Sequence, residues 1–253
     1  GSNAHYRDAA YYSDTYATRT EDVAFYTEYA VARGGSVLEF GAGNGRIAMP
    51  IAEHDVSVTC VDLSTELVHD FREKLRTSHW HLADRIKVVA GDMRKVRLSK
   101  TFDTVLCTFN TALHLYTRQD VEAFLATVKR HMKPKAKFVV DLSMPQAVDL
   151  ARPKDKMMFV PRFRYPGVGV VRYGERFDYD PVSQIQYVSM YFEPAEKSTS
   201  PWVTPLTHRQ FFPQEWEALL HYNGFRVEEV FGDFDRSPLS KESETMIWIA
   251  TKR

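Results

Sequence analysis

Val37-Leu38-Glu39-Phe40-Gly41-Ala42-Gly43-Asn44-Gly45 is the stretch on which the reading of this chain turns. Its first half is apolar and β-prone; its second half sets three glycines at alternate positions, ahead of residues 46–53, which read as a helix. A glycine loop between strand and helix lets the backbone turn tightly and approach a ligand with no Cβ in the way. The helix start beyond it offers free N–H groups. The same glycines suit a purely structural turn, so the loop gains meaning only from its neighbours.

Two neighbours matter. Asp62 closes the next apolar run, 56–62, and lies 17 residues beyond Gly45 (62 minus 45). A carboxylate there can accept two hydrogen bonds from ribose hydroxyls. It can also cap a helix, a role equally open to Ser64. Gly91-Asp92-Met93 follows the third run, 86–90. Asp92 can accept from an adenine amino group while Met93 covers the ring, although a lone Asp in that place is also an ordinary turn residue. All three features sit at C-terminal strand ends, the edge where open α/β sheets bind ligands. A dinucleotide oxidoreductase shares the first two. Against it stand the G-x-G-x-G spacing in place of G-x-G-x-x-G, Glu39 two residues before the first glycine, and a chain that closes on a strand pair.

Strand-like runs at 36–40, 56–62, 86–90, 103–108 and 137–142 are interleaved with helical patterns at 46–53, 65–76 and 118–132, predicting a parallel sheet covered on both faces. Upstream, a tyrosine-rich segment leads into a helix from Glu21, with Thr20 as its expected N-cap and Gly34-Gly35 as its end. After Pro145 the grammar changes: 168–176 and 185–192 alternate around Asp180-Pro181, a hairpin turn, so 146–212 reads as an antiparallel β-rich excursion. Pro213 opens a helix that stops near Asn223-Gly224, and strands 225–230 and 245–251 follow.

Composition narrows the function. Lys plus Arg equals Asp plus Glu at 33 each, so no global field gathers a polyanion and nothing favours a nucleic-acid partner. Cys60 and Cys107 both fall in apolar runs, which argues against a disulfide framework or a zinc site; no metal is expected. No run approaches the ~18 apolar residues of a membrane span and no signal peptide opens the chain, so a soluble, cytoplasmic protein is expected. Gly1-Ser2-Asn3-Ala4 reads as an expression scar.

These motifs together resemble the class I S-adenosylmethionine-dependent methyltransferases. The stretch from Val37 to Gly45 resembles their first motif, Val61-Asp62-Leu63-Ser64 the second, Val89-Ala90-Gly91-Asp92-Met93 the third, and the run from Phe102 to Asn110 the fourth. The β-rich insertion, with His208-Arg209-Gln210-Phe211-Phe212-Pro213 leading out of it, is similar to that of glycine and amino-sugar N-methyltransferases. The resemblance implies a Rossmann-like seven-stranded sheet with an antiparallel last strand, built from 34–145 and 213–253. It also implies a helical cap (5–33) over the cofactor site and a substrate-covering insertion at 146–212. By it Glu39 and the loop Gly41, Ala42, Gly43, Asn44 and Gly45 hold the methionine portion, and Asp62, with Leu63 beside it, the ribose. Asp92 and Met93 hold the adenine, Thr108, Phe109 and Asn110 flank the donor, and Arg19 reaches the cofactor carboxylate. The Asp/Asn/Ser-Pro-Pro-Tyr/Phe motif of DNA amino-methyltransferases is missing after the fourth strand, where Asn110-Thr111-Ala112-Leu113-His114 stands instead.

Methyl transfer needs alignment, shielding from water and a place for a proton. His114 is the candidate acceptor of that proton, or else a histidine packed at a helix start. Tyr12, one of six tyrosines in its segment, is the candidate for orienting the substrate. The expected partner is a small-molecule acceptor methylated on nitrogen or oxygen, by a monomer or homodimer. A protein or RNA methyltransferase and a non-catalytic cofactor-binding protein are the alternatives.

Overall fold

The computed structural model describes residues 5–196 and 199–253; the scar read at 1–4 lies outside the described residues. In chain order the elements are α1 (Ala9–Thr15), α2 (Glu21–Arg33), β1 (Ser36–Phe40), α3 (Ala48–Ala52), β2 (Ser57–Asp62), α4 (Thr65–Arg76), β3 (Ile86–Ala90), β4 (Phe102–Cys107) and α5 (Arg118–His131). There follow β5 (Met132–Ser143), α6 (Ala147–Leu150), β6 (Met158–Tyr165), β7 (Gly169–Asp180), β8 (Ile185–Pro194), β9 (Trp202–Arg209), α7 (Pro213–Tyr222), β10 (Phe225–Phe231) and β11 (Thr245–Lys252). They form two compact units: Arg19–Met144 with Phe211–Arg253, and the residues up to Thr18 with Pro145–Gln210.

The larger unit is the seven-stranded sheet the motifs imply, in the order β10-β11-β5-β4-β1-β2-β3. β11 runs antiparallel to both its neighbours, and the pairs from β5 to β3 are parallel. Successive side chains of a strand face opposite ways, and both faces here are apolar: Leu38 and Phe40 enter one core with Phe124 and Trp216, while Val37 enters the other with Ile51 and Phe71. Register brings the strand ends level, with Glu39 opposite Cys60 and Leu106, Phe40 opposite Cys107, and Asp62 opposite Ala90. The candidate site residues on these strands therefore share one edge.

Helix ends follow local chemistry. Ser64 caps α4, its Oγ accepting from Leu67 N at 3.2 Å, and Thr117 with Asp120 forms a reciprocal capping box on α5. Thr20 precedes α2, but its side chain makes no cap bond; the acidic residues Glu21 and Asp22 occupy the first turn instead. The helix expected over 46–53 shrinks to α3, because Pro50 has no N–H to bond the carbonyl four residues back and so cannot sit deeper in a helix.

The smaller unit is a four-stranded antiparallel sheet, β6-β7-β8-β9. The central hairpin is where the sequence places it, whereas β6 and β9 carry Pro161 and Pro205, which argue against strands unless these are edges. They are the two edges, and the β6–β7 register slips between Val160 and Phe163, around Pro161. The segment 5–33, read as one cap, divides between the units. Tyr11 of α1 stacks on Tyr165 with ring centroids 4.5 Å apart, and Tyr165 Oη donates to Asp8 at 2.8 Å. α2 instead buries Phe25 and Tyr26 in the core of the larger unit. Cys60 and Cys107 are free and buried, and among the described residues no helix is long and apolar enough to cross a membrane.

Candidate active site

Glu39 sits one residue before the end of β1 and is 1% exposed. Thr108 Oγ1 donates to its Oε1 at 2.9 Å, while Oε2 is buried with no hydrogen-bond partner among the described residues. Burial pushes its carboxyl up to about 7, against the opposing pull of the Thr108 hydroxyl and the Arg46 charge. A buried acceptor without a donor is costly unless a ligand supplies one.

The glycine loop is pinned to β2. Gly41 N donates to the Val61 carbonyl at 2.8 Å, Gly43 N to Asp62 Oδ2 at 2.7 Å and Gly45 N to the Ala42 carbonyl at 3.0 Å. Gly41, Gly43 and Gly45 all have positive φ, and a Cβ would overlap Thr111 at Gly41 and the Phe71 ring at Gly45. The loop is therefore glycine-rich partly to let other side chains close over it. Asn44 is buried, its Nδ2 donating to Asp70 Oδ2 at 3.0 Å.

Asp62 is not a helix cap. Its Oδ1 accepts from Ser64 N at 2.8 Å and its Oδ2 from Gly43 N, which leaves each oxygen a lone pair for hydroxyl donors. Burial raises its pKa despite these backbone bonds. Leu63 beside it is 61% exposed. Asp92 is more committed: the Arg94 guanidinium binds both its oxygens, Arg94 N donates to Oδ1 at 2.9 Å, and the pairing holds its pKa below the usual carboxylate value. An adenine amino group there would share Asp92 with Arg94. Met93 is half-buried against the sheet core.

The end of β4 is the most constrained backbone in the site. Phe109 and Asn110 are consecutive non-glycine residues at φ 53° and 62°. Both N–H groups donate to Asp141 of β5, at 2.7 and 3.1 Å, and Tyr26 Oη donates to the same carboxylate at 2.5 Å. The Asn110 side chain is turned to β5 as well, Oδ1 accepting from Ser143 N at 2.5 Å and Oγ at 3.0 Å. The Phe109 ring lies under two guanidinium groups, Arg19 at 4.9 Å and Arg46 at 4.7 Å from its centroid. Both arginines pair with Asp22, which is 1% exposed; Arg46 binds both its oxygens, at 2.9 and 2.6 Å, and also donates to the Arg19 carbonyl. Arg46, Asp22 and Asp141 escaped sequence reading. The one available signal was Asp141 itself, a carboxylate inside the apolar run Phe138-Val139-Val140-Asp141-Leu142.

His114 ends a single 3-10 turn, Thr111–His114, whose Thr111 packs on Gly41. Its Nδ1 lies 3.2 Å from Tyr116 Oη. Tyr12 belongs to the smaller unit, where its buried ring meets Tyr16 edge-on at 4.9 Å and lies 6.0 Å from Tyr6.

Comparison with known proteins agrees with this geometry. Residues 37–135 match the family model of a methyltransferase domain. The cypemycin N-terminal methyltransferase of Streptomyces sp is 30% identical over 123 residues, covering 49% of this chain and 48% of that protein, so the alignment spans about half its length. Among solved structures, the CcbJ methyltransferase of Streptomyces caelestis superposes with a TM-score of 0.81 at 21% identity, covering 98% of this chain and 97% of the other. The glycopeptide N-methyltransferase MtfA, solved with sinefungin, gives a TM-score of 0.63 at 25% identity and covers 92% of this chain and 87% of its own. Residues 37–135 are thus similar to a methyltransferase domain, and the fold is the one these solved methyltransferases share.

Proposed function

We propose that this protein transfers a methyl group from S-adenosylmethionine to an amine nitrogen of a small molecule. The observation that carries the reading is Glu39, a buried carboxylate with one oxygen lacking a donor among the described residues, two positions before a glycine loop and opposite Cys60, two residues short of Asp62 on the neighbouring strand. A ligand carrying an ammonium group and a ribose diol satisfies both carboxylates, and the cofactor of this family has both. When bound, S-adenosylmethionine supplies the sulfonium methyl group that an acceptor lone pair attacks in line.

The chain's own residues do the rest. Glu39 holds the ammonium and Asp62 the ribose, while Arg19, turned over the Phe109 ring, faces the carboxylate. A protonated amine must lose a proton to become a nucleophile, and His114 accepts it, oriented through Tyr116. Nitrogen is preferred to oxygen because an amine needs only placement and a modest base, and because two of the similar proteins are named for methylation at nitrogen or at an N-terminus. That second name also favours a peptide N-terminus as an alternative acceptor of the same chemistry. Free, buried thiols suit a reducing compartment, and we place the protein in the cytoplasm.

Calorimetry with S-adenosylmethionine and its demethylated product tests the cofactor assignment; folded protein that shows no heat with either would overturn it. Asp62→Ala should weaken binding about 100-fold, the scale of two lost hydrogen bonds to a charged group. Mass spectrometry of amine and hydroxyl acceptors incubated with protein and donor then separates nitrogen from oxygen transfer.

A further inference from the structure

The tip of β4 holds two adjacent left-handed residues where neither is glycine, and such backbone persists only when its surroundings impose it. What imposes it here is one side chain. Asp141 is 1% exposed, and its carboxylate gathers the Phe109 N–H, the Asn110 N–H and the Tyr26 hydroxyl. A turn that ended in ordinary backbone would aim these two N–H groups elsewhere and leave the buried carboxylate with the Tyr26 hydroxyl but neither amide donor. Two residues on, Ser143 binds the Asn110 side chain, so β5 grips the same dipeptide twice. The consequence reaches the site through Phe109, whose ring is the platform beneath Arg19 and Arg46.

We propose that Asp141, seated by Tyr26, is a positioning residue for methyl transfer: it fixes Phe109 and Asn110 in left-handed backbone and thereby sets the Phe109 platform that aligns the Arg19 and Arg46 guanidinium groups at the donor end of the site. This rests on the donor reading given under Proposed function. Asp141 does not touch the reacting atoms; it acts through the β4 tip. The hydroxyl of Tyr26 donates to the buried Asp141 carboxylate, and both strand-tip amides donate to that same carboxylate.

The test compares the full chain with Asp141→Asn and Tyr26→Phe, reading the melting transition, the dissociation constant for the demethylated donor product, and donor KM against kcat with a responsive amine. Asp141→Asn keeps the size of the group and one acceptor oxygen but loses the charge. The expected result is a folded protein whose product affinity falls about tenfold, the scale of one charge-assisted hydrogen bond. Donor KM rises while acceptor KM stays unchanged. Tyr26→Phe should show the same pattern, about threefold, smaller because both amide bonds to the carboxylate survive. Adding Asn110→Gly to Asp141→Asn should recover part of the lost affinity, since glycine adopts left-handed backbone without a carboxylate to hold it. A merely structural Asp141 predicts lower melting temperature with donor affinity within twofold of the parent, or no recovery by glycine, and either result overturns the proposal. If Asp141→Asn does not fold, Tyr26→Phe decides alone: unchanged product affinity refutes. Should the parent itself bind neither donor nor product, the methyltransferase reading fails; should the parent bind and the variants bind equally well, only the positioning role does.

Discussion

Replacing Glu39 by Gln should make the ligand-free protein more stable at pH 8 and a poorer binder of its donor. In the folded chain burial lifts the Glu39 carboxyl from its ordinary 4.5 to about 7, so the native state holds a proton there that the unfolded chain has already released. The sign follows: stability from this group is complete below about pH 4.5 and is lost as pH rises through about 7. A gap of that size corresponds to about 3 kcal/mol, and with the side chain 1% exposed no solvent screening discounts it. Glutamine is a permanent copy of the protonated form, able to accept from Thr108 as the acid does. Urea or thermal unfolding of parent and Glu39→Gln at pH 5 and pH 8 isolates the effect, because the other buried carboxylates, Asp22, Asp62 and Asp141 among them, are present in both proteins. At pH 5 the two should be close; at pH 8 the variant should gain about 3 kcal/mol, or roughly 6–12 °C of melting temperature. Donor binding should move the opposite way, since an incoming ammonium favours the ionised carboxylate. Below about pH 7 the parent should release a proton on binding, visible as buffer-dependent heat, and the variant should not. A variant less stable than the parent at pH 8, with heats independent of buffer in both, would refute this account of Glu39.

Two further outcomes follow from the site. His114→Gln should lower kcat about 100-fold or more while leaving the affinity for the demethylated product within twofold, and a flat pH–rate profile across neutrality would accompany the loss; equal rates for variant and parent would make His114 a packing residue. Gly45→Ala should destabilise the fold by about 3 kcal/mol, because φ is 90° and the new methyl group meets the Phe71 ring. Denaturant melts check this, and a change under 1 kcal/mol would mean that Phe71 yields more easily than its burial suggests.

The parallel sheet was legible because its signals are local and repeated: apolar runs bounded by Gly41, Asp62, Gly91 and Thr108, with helical periodicity after the first, second and fourth. Asp62 was legible as a candidate at a strand end but not as distinct from a cap, since only the fold shows Ser64 taking the cap and Gly43 N reaching across 19 residues to the carboxylate. The edges β6 and β9 were hidden by Pro161 and Pro205, whose cost disappears at an edge, and edge status is a property of the whole sheet. Arg46 was hidden because a helical pattern over 46–53 carries no sign of where its side chain goes; only the fold brings it onto Asp22, 24 residues earlier. Asp141 belongs with these: its three partners come from α2 and the end of β4, and no local pattern joins them.

The seat of β11 has its own consequence for how the molecule is made. Residues 245–252 leave the ribosome after β5 and β10, yet they lie between these two strands and form the link by which β10 joins the sheet. Until they emerge, β5 presents an open row of backbone donors and acceptors, and α7 with β10 has no neighbour in the sheet to dock beside. A nascent chain stalled near residue 240 is therefore sticky at one flank while its opposite flank, β1 to β3, is already zipped; emergence of residues 245–252 is the event that closes it.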